Sequence, residues 1–184
     1  MRQSILFPLR KTLLLDAVAT LFTLAVVSPV KAVDNNLHFS GTLVSDPCDL
    51  DPETTDLVVE FGSVIEKYLY QNTRTHSVPF TINFINCDTS LGDSVTLTFK
   101  GTENDALPGM LAVTGTATGI AVALESQDGT PLPFNRATPW YALTPGDNSI
   151  VLRAYVAGEP DAIKNKAITP GDFTAIATFE MAYE

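Results

Sequence analysis

From residue 57 onward the chain is a succession of short stretches in which apolar and polar side chains alternate, the period-two pattern of strands with one buried face. Stretches 57–62, 77–87, 93–101, 111–113, 119–125 and 149–156 each read as a strand. In the second of these Val78, Phe80, Ile82 and Phe84 share a face, and Pro79 lies near the start, where a strand tolerates proline. Turns rich in Gly and Thr separate the stretches, and Gln127-Asp128-Gly129-Thr130 carries the Asp-Gly turn signal. Tyr68, Tyr70 and Arg74 fall in a loop, and 159–166 has room for one helical turn. Short strands at roughly ten-residue spacing, without a long helical period, predict an all-β antiparallel sandwich of immunoglobulin-like type. No internal repeat or second domain is visible.

The last twelve residues organise this picture. Phe173, Ala175, Ala177, Phe179, Met181 and Tyr183 share one phase, while threonines, glutamates and Ile176 occupy most of the other. This is a half-buried strand with no later segment to pair with it. Its outer edge is therefore expected to stay open unless an earlier segment covers it.

The other end has a different pattern. A basic start (Arg2, Arg10, Lys11), an apolar run over 13–27 and the small-residue ending Val30-Lys31-Ala32 are the three parts of a secretory signal peptide. The run contains Asp16 and falls short of the about 20 apolar residues of a membrane span. Three segments are expected: a signal peptide over 1–32, an extended arm over 33–44 and a domain over 45–184. In the arm Leu37, Phe39, Gly41 and Leu43 share one phase. It reads either as the first strand of the sheet or as a free arm able to leave its own domain.

Loss of the leader removes four of 11 basic residues but one of 21 acidic ones, leaving a net charge of −13. Phosphate-rich partners need a cationic footprint, so nucleic acid is excluded, and a basic protein partner is favoured. Cys48 and Cys87 are the two cysteines. In an exported protein they are expected to pair, closing a loop of about forty residues worth up to ~4 kcal/mol in chain-entropy terms; the alternative is two buried thiols.

Candidate chemistry is sparse. Histidine occurs at His38 and His76 only, and no His/Cys spacing suits a metal. The acidic stretch from Asp46 to Glu53 lacks the spacing and central glycine of a calcium loop and reads as a solvated turn. No nucleophile elbow, zinc-protease motif or phosphate-binding glycine loop is present. No catalytic residue, cofactor or small-molecule substrate is therefore expected. Trp140 and Tyr141 offer aromatic faces of the kind that stack on sugars, although loop packing is the preferred reading.

Taken together, the signal peptide, the arm L-H-F-S-G-T-L-V leading into Cys48, F-I-N-C at Cys87, G-I-A-V-A-L at 119–124 and the ending P-G-D-F-T-A-I-A-T-F-E-M-A-Y-E resemble the structural subunits of chaperone–usher pili, the fimbrial pilins. Gly171 and Tyr183 match that family's terminal signature, and the likeness runs through residues 33–184. Within the family, V-T-L-T-F-K-G-T-E-N-D-A-L-P-G at 95–109 and the short arm are similar to the adaptor-type minor subunits of P pili.

The resemblance implies an immunoglobulin-like sandwich lacking its last strand, completed when a neighbour donates one. The acceptor groove, filled first by a periplasmic chaperone, would run along Phe173, Ala175, Ala177, Phe179, Met181 and Tyr183, with Glu184 held by basic residues of the chaperone and Gly171 allowing the turn into the last strand. Val33, Asn35, Leu37 and Phe39 would be donated to the preceding subunit. Family arms commonly carry a glycine where this chain has Asn35. The implied partners are the chaperone, the outer-membrane usher and neighbouring subunits, and the implied destination is the cell-surface fimbrium. A tip adaptor is the expected role; a terminator, or a single-domain adhesin for host glycans, is the alternative.

Overall fold

The computed structural model describes residues 39–41, 43 and 45–184, and the compact unit is Leu43–Glu184. The signal peptide over 1–32 and the arm residues Val33, Asn35 and Leu37 lie outside the described residues. Phe39 is exposed and outside any strand.

Twelve strands are described: β1 (Asp49–Leu50), β2 (Val78–Cys87), β3 (Ser94–Lys100), β4 (Glu103–Asn104), β5 (Leu107–Ala112), β6 (Thr114–Gly115), β7 (Ile120–Ser126), β8 (Pro131–Leu132), β9 (Tyr141–Ala142), β10 (Gly146–Gly158), β11 (Phe173–Thr174) and β12 (Thr178–Tyr183). The larger sheet has the order β1-β2-β10-β7-β5-β4, with β8 beside β7. A smaller sheet has the order β12-β3-β9, and β11 pairs with β6 alone. All pairings are antiparallel.

The period-two pattern explains how the sheets face each other. Ile82 and Phe84 of β2, Val122 and Leu124 of β7, and Ile150 and Leu152 of β10 point to one side, where they meet Val95, Leu97 and Phe99 of β3. Every one of these is buried. The expected sandwich and its main strands are thus present, and Cys48 and Cys87 form a disulfide beside this core.

Four local expectations need correction. The stretch 57–62 forms no strand, because among the described residues nothing lies alongside to complete a ladder; Val59 and Phe61 are half-buried while Val58 is 77% exposed. The loop carrying Tyr68 contains a helix, α1 (Glu66–Asn72), which buries Leu69 and ends on Thr73 in the left-handed region (φ 66°) with its N–H donating to Leu69 O. Two helical turns are too short to show a period in sequence. The expected helical turn after Glu159 is α2 (Pro160–Asn165), begun by proline where a missing N–H costs nothing.

The third correction concerns the last strand, which is divided. β11 pairs with β6, and β12 pairs with β3, so the chain changes partner over 175–177. Ala177, expected to point inward, is exposed at this crossing. The fourth concerns Gly171, whose backbone is not in the glycine-favouring region. The position needs glycine for space: a Cβ there would lie 2.7 Å from the backbone N of Ala117. Close approach is enforced by Asp172 O, which accepts from Thr116 N (2.9 Å) and Ala117 N (3.1 Å).

Candidate functional site

Among the described residues β12 has one partner. Along β3 its register pairs Tyr183 with Val95, Met181 with Leu97 and Phe179 with Phe99. The β3 members of these pairs are buried, whereas Phe179, Met181 and Tyr183 are half-buried. Glu180 and Ala182 point to solvent between them. On its other side β12 is the rim of its sheet. An amphipathic strand thus lies with one ladder filled and the next unfilled, among the described residues.

The larger sheet ends on the same side of the core. Among the described residues β2 has outer neighbours at one end alone: Ile85 and Phe84 pair with Asp49 and Leu50, and Asn83 O accepts from Asp51 N (3.0 Å) and Thr54 Oγ1 (3.3 Å). Phe80 is half-buried and meets Phe99 edge-on, with ring centroids 6.5 Å apart. The irregular segment that follows β1 adds Val59 and Phe61 to the half-buried set packed on the core. Phe61 stacks on Phe173 at 6.2 Å, while Phe99 meets Phe179 at 6.0 Å. Two sheet rims therefore flank a row of apolar side chains that the core covers on one side alone.

The row has distinct ends. At one, Phe173 packs against Phe61, with Ala175 next in the row. At the other, burial raises the Tyr183 phenol above its ordinary pKa, and the carboxylates of Asp46 and Asp49 push in the same direction. Tyr183 is therefore neutral, and its hydroxyl donates to Met181 Sδ at 3.8 Å. Beside it Glu184 is tied to β3: its N–H donates to Ser94 O (3.1 Å), and its main-chain O accepts from Asp93 N (2.9 Å) and Ser94 N (3.3 Å).

Of the sequence-predicted groove residues, Phe173, Ala175, Phe179, Met181 and Tyr183 come together and Ala177 does not. Phe61, Phe80, Val59 and Leu50 on the facing side were not assigned to the site from sequence. For Val59, Phe61 and Phe80 the signal was the same alternation, which cannot tell a covered face from an uncovered one, and Leu50 lay in a stretch read as a solvated turn.

Matching against known proteins identifies the geometry. The model of the fimbrial protein family matches residues 37–184. The chain belongs to the fimbrial protein family. It is 34% identical over 177 residues to the fimbrial adapter PapK of Escherichia coli, covering 92% of this chain and 99% of that protein. It is 32% identical over 169 residues to the Fimbria A protein of Serratia marcescens, covering 90% and 95%. A subunit in a solved chaperone–usher pilus superposes with a TM-score of 0.67 at 23% identity, over 85% of this chain and 99% of that one. The fold is thus the incomplete immunoglobulin-like sandwich of chaperone–usher pilins, and the chain is a structural pilus subunit and not an enzyme.

Proposed function

We propose that this fimbrial protein is a minor adaptor subunit that links neighbours at the tip of a pilus through one acceptor groove and one donated arm. The bare outer edge of β12 beside a row of half-buried apolar side chains is the observation that carries this reading. Strand addition fits such a site, because main-chain groups of an incoming segment complete the ladder while its alternate side chains enter the row. A one-residue slip would turn every inserted side chain outward, so the row fixes register as well as affinity.

In this reading Phe173, Ala175, Phe179, Met181 and Tyr183 form the acceptor surface, and Ala177 marks where the chain crosses between sheets. Val33, Asn35, Leu37 and Phe39 are donated to the preceding subunit. A periplasmic chaperone occupies the groove before assembly and contacts Glu184; an outer-membrane usher receives the complex, and residues 1–32 direct export. The likeness to an adapter over nearly the full length of both chains favours the adaptor role.

The test is a pairwise exchange assay in which the chaperone-bound chain is mixed with each chaperone-bound fellow subunit. An adaptor yields heterodimers both as acceptor and as donor. Products in which this chain acts only as donor would make it a terminator, and no product in either role would overturn the reading.

A further inference from the structure

Away from the acceptor row, Trp140 stands 49% exposed at the edge of an open cleft of about 710 Å³. Its backbone is fixed on both sides. Thr138 N donates to Leu97 O (2.8 Å), Leu97 N donates to Thr138 Oγ1 (3.0 Å), and Thr96 Oγ1 donates to Thr138 O (2.7 Å). Directly after it, Tyr141 pairs with Val95. A large aromatic side chain is therefore held on an anchored segment and left uncovered, where packing would ordinarily bury it.

The opposite wall is the turn after β7. Ser126 N donates to Thr130 O (2.9 Å), and Asp128 Oδ1 accepts from Thr130 N (3.0 Å) and from Ser126 Oγ. These bonds hold the Asp128 carboxyl below its ordinary pKa, chiefly through Ser126, and both end on Oδ1, so Oδ2 retains acceptor capacity. Gln127 stands exposed beside it, and Ser149 of β10 forms part of the floor. An aromatic side chain, an ionised carboxylate, a primary amide and hydroxyls thus line a single recess.

We propose that the cleft between Trp140 and the Ser126–Thr130 turn binds a neutral saccharide. A pyranose presents an apolar C–H face, which suits the indole, and a rim of hydroxyls, which suits Asp128 and Gln127. An extended peptide fits less well. The free edge of β10 does face this side, since β10 pairs with β7 only from Leu152 onward. Yet just Ser149, Ile150 and Val151 line the cleft, a shorter ladder than the usual five or six residues of a strand.

Trp140 is the chain's one tryptophan, so its emission reports on the cleft directly. The full chain, in the form in which it is recovered, is titrated with galactose, glucose, N-acetylglucosamine and their oligosaccharides. The matched Trp140→Phe sample is subtracted to remove any partner's signal. The expected result is a saturable shift in emission for at least one sugar. Binding of that sugar, read by saturation-transfer NMR, should weaken about tenfold or more in Trp140→Ala and in Gln127→Ala, with the melting temperature of Gln127→Ala unchanged. No shift with any sugar, or NMR binding in both variants equal to that of the wild type, would overturn the proposal.

Discussion

Phe179 of β12 faces Phe99 of β3 across the ladder with ring centroids 6.0 Å apart, and the two differ sharply in cover: Phe99 is 6% exposed and Phe179 half-buried. The same step from buried to half-buried recurs at Leu97 with Met181 and at Val95 with Tyr183. A core that stops midway across a cross-strand pair marks where the next strand belongs. Covering such side chains is worth about 25 cal/mol for each Å² of apolar surface removed from water, which gives an incoming strand its driving force.

Replacing Phe179 by Asp places a charge in this row, where burial without a partner is heavily unfavourable. The expected outcome is loss of the chaperone complex on co-purification. Glu180→Ala is the control: its ion pair with Lys100 (3.5 Å) is exposed on both sides and worth at most about 1 kcal/mol. Normal chaperone recovery of Phe179→Asp would remove this side chain from the site.

The Cys48–Cys87 bridge closes a sequence separation of 39 residues. Chain-entropy arguments give about 4 kcal/mol for a loop of that length. The double variant Cys48→Ser, Cys87→Ser should lose roughly that amount and melt about 10 °C lower. Calorimetry on the complemented subunit checks it, and an unchanged melting temperature would show that the bridge contributes little.

Gly171→Ala should destabilise by about 1–3 kcal/mol, as overpacking against fixed backbone does. The added Cβ would meet the Thr116 hydroxyl first, but the backbone N of Ala117 (2.7 Å) and backbone C of Thr116 (2.8 Å) are also too close, so moving that side chain alone gives no relief. Gly129 offers the comparison: its φ of 91° strains any replacement, but no atom lies within 4 Å of an added Cβ. Denaturant midpoints should therefore rank Gly171→Ala below Gly129→Ala, and the reverse order would count against the close-approach explanation.

Stability should also depend on pH through Glu125, which is 4% exposed and accepts from Arg74 Nη1 (2.9 Å) and Ser77 Oγ (2.6 Å). The Arg74 hydrogen bond is the main cause that lowers its pKa below the ordinary 4.5; burial opposes it, and Ser77 and the charges of Arg74 and Arg153 assist. A carboxyl with a depressed folded pKa contributes stability that is complete above its unfolded value and lost as pH falls through the folded one. Wild-type stability should thus fall on acidification below about pH 4.5, and Glu125→Gln should show a shallower fall. Parallel pH profiles for the two proteins would contradict this.

Much of this architecture was legible in the sequence because alternation is strong wherever a strand buries one face. β2, β3, β7 and β10 follow their apolar phases, and the row Phe173, Ala175, Phe179, Met181, Tyr183 was visible for the same reason. The two-residue strands escaped notice, since pairs such as Tyr141–Ala142 exist through their partners and carry no period of their own. Ala177 was misplaced because alternation assumes one continuous strand, whereas the chain leaves β6 for β3 at that point. Leu57–Gly62 shows the converse error: Val59 and Phe61 alternate as in a strand, yet a ladder needs a neighbour, and the rim beside them has none among the described residues.

The central claim is that the subunit lacks a strand beside β12. Its most direct test is expression of residues 33–184 with and without the matching periplasmic chaperone, scored by size-exclusion chromatography as monomer or 1:1 complex. The expected result is soluble protein only as the complex, released on addition of a donor-strand peptide that takes the chaperone's place. A stable monomer obtained without chaperone, unaffected by the peptide, would contradict the account, because it would mean that the outer edge of β12 is already covered.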